Sequence, residues 1–500
     1  MLAALLIGFG TAHAAPSADD FYEYEPLFDD VEADVLVEAV LAPKKVDLPA
    51  LISGGTVRFA VAPDPILIAV DGFEAVGAAI AAGRELEKLL GQRAGTDGES
   101  PSVPPVVLPV PIPRALIGEA ITEGRADFAT MPVTPDNRKR VAFTRPIIEN
   151  VRDLVVLSPE AAGAIETFDD LVLFYVAVPE GTIYEESMVR LNRARREQGK
   201  TAIPIRRLDP LLDDYDLMEM AAVGLVPATL MSRHKLEVWS KIHPEAVVRR
   251  KMIVRERGAI AFAARPDAPK LLAALDDFAE KVAKGTLLGN IIYKRFFKDA
   301  DRIENIATSE RQERIAAVEP VIRRFSNRYS FDSDLVLAQA YQESRLDPEA
   351  VSHMGAQGIM QVLPSTARDR SVAIPDISSV ENNVHAGVKY LRYLRNTHFD
   401  DDAISALDQT LFAFAAYNAG PGNMAKARRQ AKRMGLDPNV WFENVEVAIG
   451  RAVSREPVVY VRNIYKYFVA HRLLRAIREE RAASRVEANL PEGDATEAAE

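Results

Sequence analysis

Two hydrophobic periodicities divide the chain. Between residues 54 and 300, short apolar or β-branched runs alternate with helical stripes. Residues 56–62 (TVRFAVA) read as a strand, followed by a Pro-Asp-Pro loop and a helix reaching residue 91. A Gly/Pro/Ser loop at 93–105 leads to a strand at 106–110, then a helix over ALIGEAITEGRADFA and a strand at 127–131. This alternation predicts an α/β domain built on a parallel sheet. From Glu310 the period is helical throughout, with Ile315, Val318, Ile322 and Phe325 on one face and Pro320 predicting a kink. Helices are expected near 310–328, 333–345, 363–370, 380–397, 408–418, 422–434 and 458–483, which makes the second domain, 310–483, all-α.

The remaining segments are set by composition. Residues 1–14 form a short apolar run closing on Ala12-His13-Ala14, the pattern of a cleavable secretory signal peptide, although no Lys or Arg precedes it. Residues 15–53 are strongly acidic and read as a flexible leader with a short helix near 30–41. Residues 301–309 are a polar linker, and 484–500 an acidic tail expected to be disordered. No apolar run is long enough to span a bilayer, so an integral membrane segment is not expected.

Charge and composition then narrow the function classes. The formal net charge is −11, which argues against a duplex nucleic-acid partner. With no cysteine, disulfides, thiolate nucleophiles and lipidation at a cysteine are excluded. The seven histidines show no HExxH or paired spacing, so no metal and no cofactor are expected.

The chemistry concentrates between residues 341 and 361, YQESRLDPEAVSHMGAQGIMQ. Asp332 or Ser333 caps a helix that carries Glu343 in its last turn, and Asp347-Pro348 is expected to end it. Burial and the negative end of the helix dipole both disfavour an ionised carboxyl there, which suits a general acid. A Glu-Ser pair by itself is ordinarily a solvated helix end. Here it is followed by GIMQ with PSTA, by AYNAG (416–420 less its first residue is Tyr417-Asn418-Ala419-Gly420), and by the E-x-x-x-Y-V block that starts at Glu456.

These four blocks, in this order over roughly residues 310–475, resemble the lytic transglycosylase domain of the goose-lysozyme-like superfamily. The resemblance implies peptidoglycan glycan strands as substrate and Glu343 as the one catalytic acid, serving next as base. It also implies substrate-side roles for Ser344, Gly358, Met360, Gln361, Tyr417, Asn418 and Tyr460. Tyr417 and Asn418 would hydrogen-bond the muramic acid side or the acid itself. Met360 and Gln361 would line the cleft. By the same resemblance the cleaved bond joins N-acetylmuramic acid to N-acetylglucosamine, and the muramic sugar's own hydroxyl closes an anhydro ring in place of water.

Residues 115–157 and 168–182 resemble a type II periplasmic solute-binding protein, which implies lobe 1 at 54–152 and 255–300 and lobe 2 at 153–254. Relatives of that family hold an amino acid with an arginine and aspartates. Counting from Phe143-Thr144 and from Gly224, Asn137, Pro227 and Ser232 stand in those places, with Arg138 one residue out of register. The module is therefore expected to take a peptide or muropeptide, or to act as a docking surface. The arrangement resembles the membrane-bound lytic transglycosylase F type, which implies a periplasmic location, peripheral to the outer membrane. Two other function classes remain open at this point. One is a lysozyme-type hydrolase, which needs a second carboxylate near Glu343; the other is a non-catalytic glycan- or solute-binding protein.

Overall fold

The computed structural model describes residues 31–71, 74–96, 105–303 and 310–491. The signal peptide and the early part of the leader lie outside these residues. Among the described residues the front module holds ten strands: β1 (Thr56–Val61), β2 (Ala69–Asp71), β3 (Glu74–Val76), β4 (Val106–Pro111) and β5 (Phe128–Pro132) come first. They are followed by β6 (Ala142–Leu157), β7 (Val176–Pro179), β8 (Ile205–Leu208), β9 (Ala228–Ser232) and β10 (Val247–Ala264). Eight of them form one sheet in the order β4-β1-β5-β10-β6-β9-β7-β8, and β2 pairs with β3.

The sheet is two parallel halves joined by two long antiparallel strands. β1 runs parallel to β4 and β5, and β7 parallel to β8 and β9, while β10 pairs antiparallel with both β5 and β6. The β6–β10 register slips repeatedly between Arg249 and Ala263, and Asn150 and Arg257 take left-handed backbone (φ 55° each). Bulges of this kind bend and twist a strand pair, so the same two strands serve both lobes. The expected α/β module of two lobes, followed by an all-α domain, is what the structure has, but the sheet is mixed where a parallel one was expected, because β6 and β10 run antiparallel to their neighbours.

The polar edges depart from expectation. The leader is folded where it is described: the helix expected near 30–41 is present at Val31–Leu41, and a second, unexpected one lies at Leu48–Ser53. Val40, Leu48 and Leu51 are buried. Arg58 binds it to lobe 1, donating to the carbonyls of Val40 (3.0 Å), Ala42 (2.8 Å) and Gly124 (2.6 Å) while paired with Asp127. Acidic composition misled here because one buried arginine collects those carbonyls. A single helix, Glu310–Tyr329, runs through Pro320. A short helix at Glu446–Ala452 had no sequence signal strong enough to find it.

The largest difference is at the far end. The last helix is not confined to 458–483 but extends over 32 residues, Glu456–Glu487, a length of about 48 Å at 1.5 Å per residue. It begins in the catalytic domain, where Val458 and Val461 join the main core. Its middle crosses lobe 1, burying Ala470 and Leu474 with Leu51 and Phe59, and pairing Lys466 with Glu87 (2.6 Å). Its end reaches lobe 2. There Arg481 grips Asp216 through two hydrogen bonds (2.9 Å each) and Asp213 (2.8 Å), and Arg485 pairs with Asp216 and with Glu219 (2.9 Å). Leu490, assigned above to a disordered tail, is buried in the lobe 2 core.

Candidate active site

The helix Ser333–Ser344 is started by Asp332, whose carboxylate accepts from the Leu335 amide (2.8 Å). It stops before Pro348 acts, because Arg345 and Leu346 adopt left-handed backbone (φ 58° and 60°). That reversal leaves Glu343 in the final turn. Burial, the dominant influence, pushes the Glu343 carboxyl up to about 7, and a hydrogen bond from Tyr460 works in the opposite direction. Beyond burial and the bond from the neutral Tyr460 phenol, no side chain among the described residues adds to this shift. The Tyr460 hydroxyl donates to Glu343 Oε1 at 2.5 Å, so the long C-terminal helix touches the carboxyl directly.

The GIMQ segment folds back over the end of this helix. Ser344 Oγ donates to the Ile359 carbonyl (2.9 Å), and Tyr417 Oη donates to the Met360 carbonyl (2.7 Å). Asn383, from the helix Val380–His398, accepts from the Met360 amide and donates to the Gln357 carbonyl, both at 2.8 Å. Gly358 sits at φ 72°, and a Cβ there would lie 2.5 Å from the Asn383 amide. Glycine is thus required twice over, for its backbone and for the close approach of Asn383. Gln361 is also left-handed (φ 47°) and donates to the carbonyls of Ala350 (3.0 Å) and Gly358 (2.9 Å).

Several expected roles change in this geometry. Met360 is fully buried against Gly387, so its side chain belongs to the core, with only its main chain serving the loop. Tyr417 holds the Met360 carbonyl in place of the acid, though its phenol senses Glu343 electrostatically and burial keeps it protonated. Ser344 and Gln361 spend their donors on the loop. Asn418 is half-buried, and its side chain makes no hydrogen bond to a described residue. Tyr460 is the residue that reaches Glu343. Asp347 caps the Glu349 amide (3.0 Å), and Glu456 is exposed at the start of its helix.

Two residues were not singled out from sequence. Asn383 clamps the loop, and Gln339, one turn before Glu343, donates to the Tyr460 hydroxyl (3.0 Å). The i, i+4 spacing to Glu343 was the one signal that pointed at Gln339. Among the described residues, no group of three or more His, Cys, Asp or Glu could hold a metal ion, and no helix is long and apolar enough to cross a membrane.

Residues 320–438 match the family model described as "Transglycosylase SLT domain". This segment contains Gln339, Glu343, Asn383 and Tyr417 and stops short of Tyr460. The chain is similar to "Membrane-bound lytic murein transglycosylase F" of Maricaulis maris, 30% identical over 369 residues, covering 70% of this chain and 77% of that relative. It is 27% identical over 368 residues to the protein so named from Desulfosudis oleivorans, covering 70% and 78%. Among solved structures, the substrate binding protein of an amino acid ABC transporter aligns with 49% of this chain and 100% of its own, at 18% identity and a TM-score of 0.39.

Proposed function

The chain belongs to the membrane-bound lytic murein transglycosylase F family, and from that membership we propose a one-carboxylate mechanism centred on Glu343. The enzyme is a peptidoglycan lytic transglycosylase. The neutral Glu343 carboxyl gives its proton to the oxygen joining N-acetylmuramic acid to N-acetylglucosamine. The bond from the muramic C1 to that oxygen breaks, and the N-acetylglucosamine side leaves as an alcohol. The Glu343 carboxylate then takes the proton of the muramic primary hydroxyl, whose oxygen bonds to C1 and closes the anhydro ring. The acid is regenerated and no water is consumed. Placing the attacking hydroxyl within the same sugar supplies an effective molarity on the order of 10⁵ M or more in well-oriented cases.

The observation that carries this reading is the placement of Glu343 in the last turn of its helix with the Tyr460 hydroxyl 2.5 Å from Oε1, a setting in which burial pushes the carboxyl up to about 7. A lysozyme-type hydrolase needs a second carboxylate as base or nucleophile, roughly 5–9.5 Å away. Asp347 is engaged in its own turn, Glu349 and Glu456 are exposed, and none of them registers on Glu343. The expected product of digesting purified sacculi is anhydro-ended muropeptide, one water lighter than its reducing counterpart by mass spectrometry. Reducing ends alone would instead establish the hydrolase.

The front module completes the reading. Its cavity, about 420 Å³, lies between the lobes. Asn137 lines it but donates to the Pro132 carbonyl (3.0 Å), and Ser232 donates to Asp153 (2.6 Å). Arg138 turns away, over the Phe143 ring, whereas Arg140 does reach the cavity wall. With Asn137 and Ser232 already engaged, the cavity takes a peptide or muropeptide in preference to a free α-amino acid. Millimolar single amino acids are therefore expected to leave the melting temperature unchanged, since a ligand at 100 times its Kd would add about 2.7 kcal/mol. A rise of several degrees, lost in Arg140→Ala, would refute this. A periplasmic site of action fits a peptidoglycan substrate, and the relatives' membrane-bound name supports a position peripheral to the outer membrane.

A further inference from the structure

We infer that Gln339 is a positioning residue that decides which oxygen of Glu343 carries the catalytic proton. The inference rests on the acid–base reading of Glu343 given above. Gln339 lies on the Glu343 helix, four residues earlier, and is completely buried. Its Nε2 donates to Tyr460 Oη at 3.0 Å, and Tyr460 Oη lies 2.5 Å from Glu343 Oε1.

A tyrosine hydroxyl has one proton to give and two lone pairs to receive. With the Gln339 amide filling one lone pair, the hydroxyl proton is directed along the short line to Oε1. Tyr460 has no other hydrogen-bond acceptor within the described residues. If the carboxyl proton sat on Oε1, it would face the tyrosine proton across that line. The proton of the neutral acid therefore resides on Oε2, the oxygen left without a hydrogen-bond partner among the described residues and available to the glycosidic oxygen. In the next step Oε1 remains the acceptor for Tyr460, so Oε2 is again the atom that receives the muramic proton.

A second observation agrees. Gln339 Oε1 is buried with no hydrogen-bond partner. A leucine or methionine would remove that unsatisfied atom, and buried polar groups left unpaired call for a specific explanation. The other titratable groups facing Glu343 are phenols: Tyr460 from the last helix and Tyr417 from the helix Ala406–Ala419. Both are held protonated by burial, so neither supplies a competing charge.

The test compares Gln339→Met, Tyr460→Phe and the double variant in the full chain, measuring kcat, KM and the pH profile of anhydro-muropeptide release on soluble glycan strands. Without the amide, Tyr460 can turn and accept the Glu343 proton, which diverts the acid from substrate and stabilises its neutral form. Gln339→Met is expected to lower kcat about tenfold, at the low end of general-acid effects, with KM unchanged and the alkaline limb moved to higher pH. Because Gln339 acts through Tyr460, adding Gln339→Met to Tyr460→Phe is expected to cost nothing further. Gln339→Glu, nearly isosteric, is expected to draw the tyrosine proton away and lose activity similarly. Equal losses in both backgrounds with an unmoved alkaline limb would mean a structural role and overturn the inference. Reducing-end products, or full activity in Glu343→Gln, would instead overturn the reading of Glu343 itself.

Discussion

Glu343→Gln is expected to abolish release of anhydro-ended muropeptides while leaving the fold intact. The amide keeps the shape of the carboxyl and an oxygen that can accept from Tyr460, so the 2.5 Å contact has a near-equivalent. It has no proton to give the glycosidic oxygen and cannot take one from the muramic hydroxyl. Losing one positioned acid–base group typically costs on the order of 10²–10⁴ in rate, and here one residue serves both steps. The same carboxyl sets the pH dependence. Raised from 4.5 to about 7 by burial, it is neutral and competent below that pH, and the parent rate is expected to fall as pH rises through it. The stability sign follows from the same shift. A carboxyl bound better in its neutral form contributes stability below its unfolded value, lost as pH rises through its folded one. Above pH 7, therefore, Glu343→Gln is expected to be at least as stable as the parent. Measurable anhydro product from the variant, or a parent rate flat from pH 5 to 9, would remove Glu343 from the acid role.

How much of this site was legible depended on whether a residue belonged to a local pattern. Glu343, Gly358 and Tyr417 stand in short blocks whose order along the chain is informative, and the structure brings those blocks around one helix end. Gln339 and Asn383 act through a single amide each, in helical stripes where glutamine and asparagine are unremarkable, so nothing local distinguished Asn383 and only its i, i+4 spacing to Glu343 pointed at Gln339. Met360 illustrates the opposite error. It lies in an informative block, but the block's work is done by its main chain, held by Tyr417 and Asn383, while the side chain fills the core. The α/β and all-α character of the two domains followed from periodicity alone. The course of the last helix did not, because its terminal anchors are non-local: Arg481 and Arg485 meet Asp216 across separations of 265 and 269 residues. Arg481 fell inside the expected helix and Arg485 in the expected tail, and neither reading shows the buried carboxylates that the two arginines meet.

Lys235→Met is expected to destabilise the front module by about 3–5 kcal/mol, the usual cost of removing one partner from a buried ion pair. Lys235 follows β9 in lobe 2, and its ammonium lies 2.5 Å from Asp64 in lobe 1 and 2.5 Å from Asp214 in lobe 2. Arg114, from lobe 1, donates to Asp214 at 2.9 Å and stands 3.9 Å from Asp64. Two cations and two carboxylates thus neutralise one another across the lobe boundary, in the wall of the inter-lobe cavity. Burial opposes the charge on Lys235, yet Asp214 and Asp64 hold the ammonium above the ordinary lysine range. Burial likewise opposes the charge on Asp214, and Arg114 and Lys235 more than offset it, holding the carboxyl below its usual range. The lysine's contribution is lost only as pH rises past the ordinary lysine value, and the aspartate's only as pH falls below the ordinary carboxylate value. Between those limits the network's contribution is flat. Methionine matches the stem of lysine but leaves Asp64 and Asp214 facing one arginine. Removing a carboxylate as well, in Lys235→Met with Asp64→Asn, restores charge balance and is expected to recover a large part of the loss, giving a coupling energy well above that of distant pairs. Urea denaturation of the parent, both single variants and the double variant measures this cycle directly. An unchanged midpoint for Lys235→Met, or losses that simply add in the double variant, would show that the four charges do not act as one inter-lobe unit.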